Sequence, residues 1–216
     1  MKAHFIAQTV NFVQHELEQA EAGHDWFHVE RVWKNCRLLL QFEQADELVV
    51  ELAALLHDLA DSKFHEGDES LGPKKAGDFL KSIDVPIAIT EHVLLIIKNM
   101  SFRSSLEPVS FHSKEMEIVQ DADRLDAIGA IGIARAFHYG GYKNRLLYDP
   151  SVEPKLKQTK EEYKNSQSPT LNHFYEKLVL LKDRMNTVTG KNLAEGRHQY
   201  MLAFLDQFLA EWEGRK

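Results

Sequence analysis

The sequence predicts an all-α fold, a helical bundle of about seven to nine helices around one core. Apolar residues recur at three- and four-residue spacings along most of the chain, while the two-residue alternation of a half-buried strand is absent throughout. Gly23, Gly72-Pro73, Pro86 and Gly140-Gly141 fall at the ends of periodic segments, as helix punctuation does.

Residues 3 to 21 place Phe5, Ile6, Val10, Val13 and Leu17 on one helical face, with Gly23 as the stop. A second helix over 26 to 43 carries Trp26, Val29, Val32, Trp33, Leu39 and Leu40, with His28 among them and Arg31, Lys34 and Arg37 on its wetter side. Asp46 is the expected N-cap of a third helix over 47 to 60, followed by a polar loop from Asp61 to Asp68. A fourth helix is expected after Gly72-Pro73 up to Ile83, and a fifth from Pro86, in its first turn, to Asn99. Residues 113 to 138 read as one sixth helix whose Ala122, Gly129, Gly132 and Ala136 let a neighbouring helix approach. Residues 140 to 170 hold two adjacent glycines and three prolines with little periodicity, so a long functional connection is expected there. Residues 171 to 213 return to helical spacing, which completes one domain over 1 to 216.

Composition narrows the function. Hydrophobic content of 44% and charged content of 27% are those of a globular chain, which excludes disorder. A net charge of -7 argues against a nucleic-acid polymer as partner, so any anion site must be local. Cys36 is the single cysteine, which excludes intrachain disulfides and cysteine-based zinc sites and points to a reducing, cytoplasmic compartment. No signal peptide or membrane span is read, and a homodimer is compatible with the sequence.

Chemistry concentrates where ionisable groups sit inside apolar helices. His57-Asp58 ends the run Leu48 to Leu56, and burying both costs several kcal/mol unless a partner replaces water. A metal ion is an economical partner, and the segments around His28 and around Asp121, Asp123 and Asp126 supply further imidazole and carboxylate. Two imidazoles with two carboxylates suit Mn, Fe, Mg, Co or Ni better than a structural zinc. Adjacent helix residues point about 100° apart, so His57 and Asp58 can share an ion only at a helix end.

The ordered set His28, His57-Asp58 and Asp123 resembles the HD-domain metal-dependent phosphohydrolase superfamily. It is most similar to a short bacterial subgroup carrying His-Asp-Trp-x-His-x-x-Arg-Val, here His24 to Val32. The same subgroup carries Leu-His-Asp-Leu/Ile-Ala-Asp, here Leu56 to Asp61, and Gln-Asp-Ala-Asp-Arg-Leu-Asp-Ala-Ile-Gly, here Gln120 to Gly129. Leu147 to Pro150 and Asp183 to Thr187 extend the likeness over nearly the whole chain.

The resemblance implies an HD-domain helical bundle in which His28, His57, Asp58 and Asp123 hold one divalent ion. It implies a reaction in which water, activated by the metal, hydrolyses a phosphoester or phosphoanhydride. The substrate it implies is a small phosphorylated metabolite, foremost a nucleoside triphosphate split to monophosphate and pyrophosphate. A nucleoside monophosphate phosphatase and a cyclic-nucleotide phosphodiesterase are the enzymatic alternatives, and a nucleotide-binding regulator is the non-enzymatic one. Asp58 and Asp61 are the catalytic candidates; on a continuing helix Asp61 shares the face of His57 and Asp58, although a helix-end contact to Lys63 explains it equally. His24 is either a substrate contact or part of a turn. Lys63, Lys98, Lys143 and Arg145 are the candidate phosphate-binding cations. From 143 to 164 the chain has six Lys or Arg against four Asp or Glu, a local excess of positive charge expected to cover a phosphate tail. His92 lacks the neighbouring histidine of a second metal site, so one ion is expected.

Overall fold

The structure is a computed structural model that describes residues 1–18, 25–59, 71–100, 111–156 and 166–216. Among these residues the chain forms nine α-helices and no strand. They are α1 (Lys2–Glu16), α2 (Trp26–Leu39), α3 (Glu47–Leu56), α4 (Leu71–Ser82), α5 (Ile87–Asn99), α6 (Lys114–Asp126), α7 (Gly129–Tyr142), α8 (Asn172–Glu176) and α9 (Val188–Trp212), with a 3₁₀ segment at Leu178–Arg184. Two units divide the chain, Met1–Asp123 and Arg124–Lys216.

In the first unit α3 is the buried centre. It is apolar on all sides, and Val50 and Leu52 through Leu56 are fully inaccessible, as expected of a helix with no polar face. Helices α1, α2 and α5 pack around it, and α4 packs on α5. Asp46 caps α3 as expected, its Oδ1 accepting from the Leu48 and Val49 N–H groups at 2.9 and 3.2 Å. The Asp46 N–H in turn donates to Glu115 Oε1 at 3.0 Å, which ties the start of α3 to the start of α6.

In the second unit α9 packs on α7 and on the 3₁₀ segment. Phe137, Phe174, Phe204 and Phe208 form one aromatic cluster with ring centroids 5.8 to 6.1 Å apart. Tyr148 and Trp212 extend it, their centroids 5.3 Å apart.

Several boundaries differ from those expected. Helix α1 ends at Glu16, capped by Leu17, and α2 ends at Leu39, where Phe42 N–H bonds to Leu39 C=O in a three-residue turn. Helix α4 begins at Leu71, because Pro73 in a first turn sacrifices no intrahelical donor. Pro86 is the N-cap of α5 rather than a first-turn residue. The single helix expected over 113 to 138 is two, α6 and α7, because Gly129 adopts φ 74°, which breaks the helical path. At Gly132 a β-carbon would lie 2.2 Å from the Ala127 carbonyl oxygen, so this glycine serves the tight corner itself, not an approaching helix. The connection expected from residue 140 begins after Tyr142. No helix among the described residues is long and apolar enough to cross a membrane.

Candidate metal centre

Three helices of the first unit bring the predicted ligands together. His28 lies in the first turn of α2, where the Asp25 carboxylate caps the helix by accepting from the His28 N–H at 2.9 Å. His57 is the C-cap of α3, so the chain leaves the helix at the His-Asp pair as the 100° separation requires. Asp123 lies in α6 beside the buried Ala122.

One donor atom each from His28, His57 and Asp58 lies within 4.8 Å of the others. His28 Nε2 is 3.8 Å from Asp58 Oδ2 and 3.6 Å from Asp123 Oδ1. The His28 and His57 rings meet edge to face, with centroids 5.4 Å apart. His28 is 3% exposed, whereas the side chains of Asp58 and Asp123 are 13% and 42% exposed, so the cluster runs from a dry imidazole base to a wet carboxylate rim. Asp121, two residues before Asp123, is fully buried inside α6, and Asp126 pairs with Arg135 at 2.7 Å.

The donor chemistry fits a divalent ion. His57 Nδ1 lies 2.8 Å from the Ala54 carbonyl oxygen. A carbonyl only accepts, so Nδ1 carries the proton and Nε2 keeps its lone pair for a ligand. Two carboxylates facing one imidazole form an electron-rich set that a cation neutralises.

Contacts outside the donors hold the helices in place, and sequence reasoning missed them. Trp33 Nε1 donates to Glu51 Oε2 at 2.7 Å, joining α2 to α3. Lys2 pairs with the same Glu51 at 2.9 Å and also with Glu47. Asn35 Nδ2 donates to the Ala122 carbonyl at 3.1 Å, which fastens α2 to α6 next to Asp123. Two signals were available: Glu51 is a charge in the middle of an apolar run, and Asn35 follows His28 by seven residues, two turns along the same face.

His24, Asp61 and Lys63 fall outside the described residues. Lys98 is exposed on α5 and lines a groove against α4. Lys143 and Arg145 belong to the second unit, where Lys143 Nζ lies 4.8 Å from the Tyr142 ring centroid and Arg145 donates to the Ser166 carbonyl at 2.7 Å. His92 bonds to Ser113 Oγ at 3.0 Å and lies 3.5 Å from Glu115.

Comparison with known proteins shows the family. The HD domain family matches residues 26–128, a span that includes all four predicted ligands. YpgQ of Bacillus subtilis, an uncharacterized protein, is 40% identical over 204 residues, covering 93% of this chain and 90% of its own length. The crystal structure of an HD-superfamily hydrolase from Bacillus thuringiensis superposes with a TM-score of 0.78 at 45% identity, over 99% of both chains. Bacillus subtilis YpgQ in complex with ADP superposes at a TM-score of 0.75 and 33% identity, over 98% of this chain and 100% of that one. The chain therefore belongs to the HD superfamily, in its YpgQ-like group.

Proposed function

We propose that this chain is a metal-dependent phosphohydrolase acting on nucleotides, with a nucleoside triphosphate split to monophosphate and pyrophosphate as its reaction. The convergence of His28, His57 and Asp58 carries the reading, together with Asp123 at 3.6 Å from His28. The nucleotide half rests on the relative crystallised with ADP.

His28, His57, Asp58 and Asp123 are the residues that hold the ion. A divalent ion, one of Mn, Mg, Fe, Co or Ni, supplies Lewis acidity and lowers the pKa of water bound to it. The remaining work belongs to the chain. His57 is fixed in the Nδ1–H tautomer by the Ala54 carbonyl, so its ring presents a lone pair without reorganising. The Asp25 cap fixes the backbone at His28, and the Asn35–Ala122 bond holds α6 where Asp123 leaves it. Asp61 is the proposed base that orients or deprotonates the attacking water, with His24 and Lys63 as proposed substrate contacts.

The decisive experiment incubates the purified protein with nucleoside mono-, di- and triphosphates and with cyclic nucleotides, in Mn, Mg, Co and Ni, and identifies the released product. Pyrophosphate from a triphosphate supports the proposal. Inorganic phosphate from a monophosphate, or opening of a cyclic nucleotide, would replace it with the corresponding enzyme. Binding without turnover under every metal would leave a nucleotide-binding regulator.

A further inference from the structure

Charge pairing in the first unit is uneven in a way that singles out one groove. Four of its described lysines are committed to carboxylates: Lys2 to Glu47 and Glu51, Lys34 to Glu30, Lys75 to Glu16, and Lys114 to Glu43 and Glu117. Lys74, Lys81 and Lys98, the remaining three, have no ion-pair partner among the described residues, and all of them line one groove between α4 and α5.

The groove is shallow and open to solvent and holds about 600 Å³, within the range of small-molecule sites. Gly77 lets α4 come close to α5, because a β-carbon there would sit 3.2 Å from Leu94 Cδ1. Leu94 and Gly77 thus give the groove a neutral floor, with the lysines around it. Asp78 is the one carboxylate among the described lining residues, so these carry two net positive charges in a chain of net charge -7. At ~0.1 M salt the screening length is about 10 Å, so ammonium groups that line one groove add their potentials at a ligand bound within that range of each. Lysine recognises phosphate as a point charge without demanding a fixed fork geometry, which suits a flexible phosphate chain. None of the lining residues belongs to the metal cluster.

We propose that the α4–α5 groove is a second anion site, which binds the polyphosphate chain of a phosphorylated small molecule through Lys74, Lys81 and Lys98, separately from the metal cluster. Asp78 opposes the anion and sets an upper limit on affinity. The site does not depend on the hydrolytic reading, since its charge and shape come from α4 and α5 alone.

The test uses the full chain freed of metal with EDTA, at 50 mM NaCl, and titrates inorganic triphosphate by calorimetry. The wild type is expected to bind at micromolar to millimolar concentration and to lose affinity at 200 mM NaCl. Lys74→Ser/Lys81→Ser/Lys98→Ser should weaken binding at least tenfold with an unchanged far-UV CD spectrum, and Asp78→Asn should tighten it severalfold. Asp58→Asn, which alters the metal cluster, should leave it unchanged. ATP distinguishes the sources of the chain: equal affinity means that phosphate alone is recognised, and tighter binding adds nucleoside contact with the apolar floor. The proposal is overturned if the wild type does not bind triphosphate. It is equally overturned if the triple variant binds as well as the wild type, or if Asp58→Asn tightens binding at least tenfold, since relief of carboxylate repulsion would place the anion at the metal cluster.

Discussion

Replacing Asp58 by Asn tests the metal centre with little change of shape. The substitution keeps the side-chain volume and removes one of the two carboxylates that face His28 Nε2, the one at 3.8 Å. A ligand that binds only the folded state stabilises it by RT ln(1 + [L]/Kd), about 2.7 kcal/mol at a metal concentration of ~100 Kd. Unfolding entropy of ~2.1 cal/mol/K per residue converts this to a rise in Tm of about 6 °C if all 216 residues unfold together. It becomes about 10 °C if the unit Met1–Asp123 unfolds alone.

Loss of an outer hydrogen-bonding partner of a ligand already weakens metal binding about 10- to 100-fold, so loss of a carboxylate donor should reach at least the upper figure. At the same metal concentration the variant would then gain only about 0.4 kcal/mol, a shift of ~1–2 °C. Differential scanning calorimetry of both proteins, with Mn and with EDTA, reads the double difference. The metal-free Tm values should agree within about 2 °C, because an isosteric change at a partly wet position creates no cavity. A variant that keeps the full metal-induced shift would refute Asp58 as a ligand.

Four further outcomes follow from the packing. Trp33→Phe removes the donor to Glu51, a residue only 7% exposed, and should cost about 1–3 kcal/mol in urea unfolding; unchanged stability would remove Glu51 as the brace between α2 and α3. Gly132→Ala forces a β-carbon to within 2.2 Å of the Ala127 carbonyl oxygen and should cost more than about 2 kcal/mol, read by thermal unfolding. Cys36 is fully buried, and burial, with added repulsion from Asp123, Glu51 and Asp121, pushes its thiol pKa well up; iodoacetamide at pH 8 should therefore label it only after unfolding, as mass spectrometry would show. Burial by itself raises the pKa of Glu115, but hydrogen bonds from the Asp46 N–H, its own N–H and Ser113, with the nearby His92, outweigh it and hold the carboxyl below its ordinary 4.5. A depressed carboxyl contributes stability that is full above the unfolded value and is lost as pH falls through the folded one. Glu115→Gln should therefore be less stable than wild type at pH 7, and the gap should close below pH 4; a gap constant with pH would show that charge is not its basis.

Legibility in the sequence followed the range of the interactions involved. The Asp46 cap is a contact over two and three residues, and the apolar run of α3 is a property of ten consecutive residues, so both could be read directly. The break between α6 and α7 escaped because periodicity continues through it: Leu125, Ile128 and Gly132 keep helical spacing while Gly129 turns the backbone to positive φ. Glycine fits a tight corner as well as a close helix contact, and spacing alone cannot choose between them.

The candidate site divides in the same way. His57-Asp58 was readable because two ionisable groups at the end of an inaccessible helix demand a partner, and His28 and Asp123 were readable because their neighbours match a known pattern. The frame that aims them was not, since Trp33–Glu51 and Asn35–Ala122 join residues 18 and 87 positions apart. Their purpose appears only once α2, α3 and α6 are in place. That frame also gives the donor set its direction: α2 is bound to α3 through Glu51 and to α6 through Asn35, so His28 is the fixed point of the cluster. The carboxylates of Asp58 and Asp123, at 13% and 42% exposure, form the side open to solvent. A phosphate-bearing substrate approaching this cluster meets the carboxylate rim first, and two carboxylates repel it until a cation neutralises them. Metal binding at this cluster should therefore precede the docking of a nucleotide's phosphates on it, so the carboxylate rim serves as a gate that only the bound cation opens.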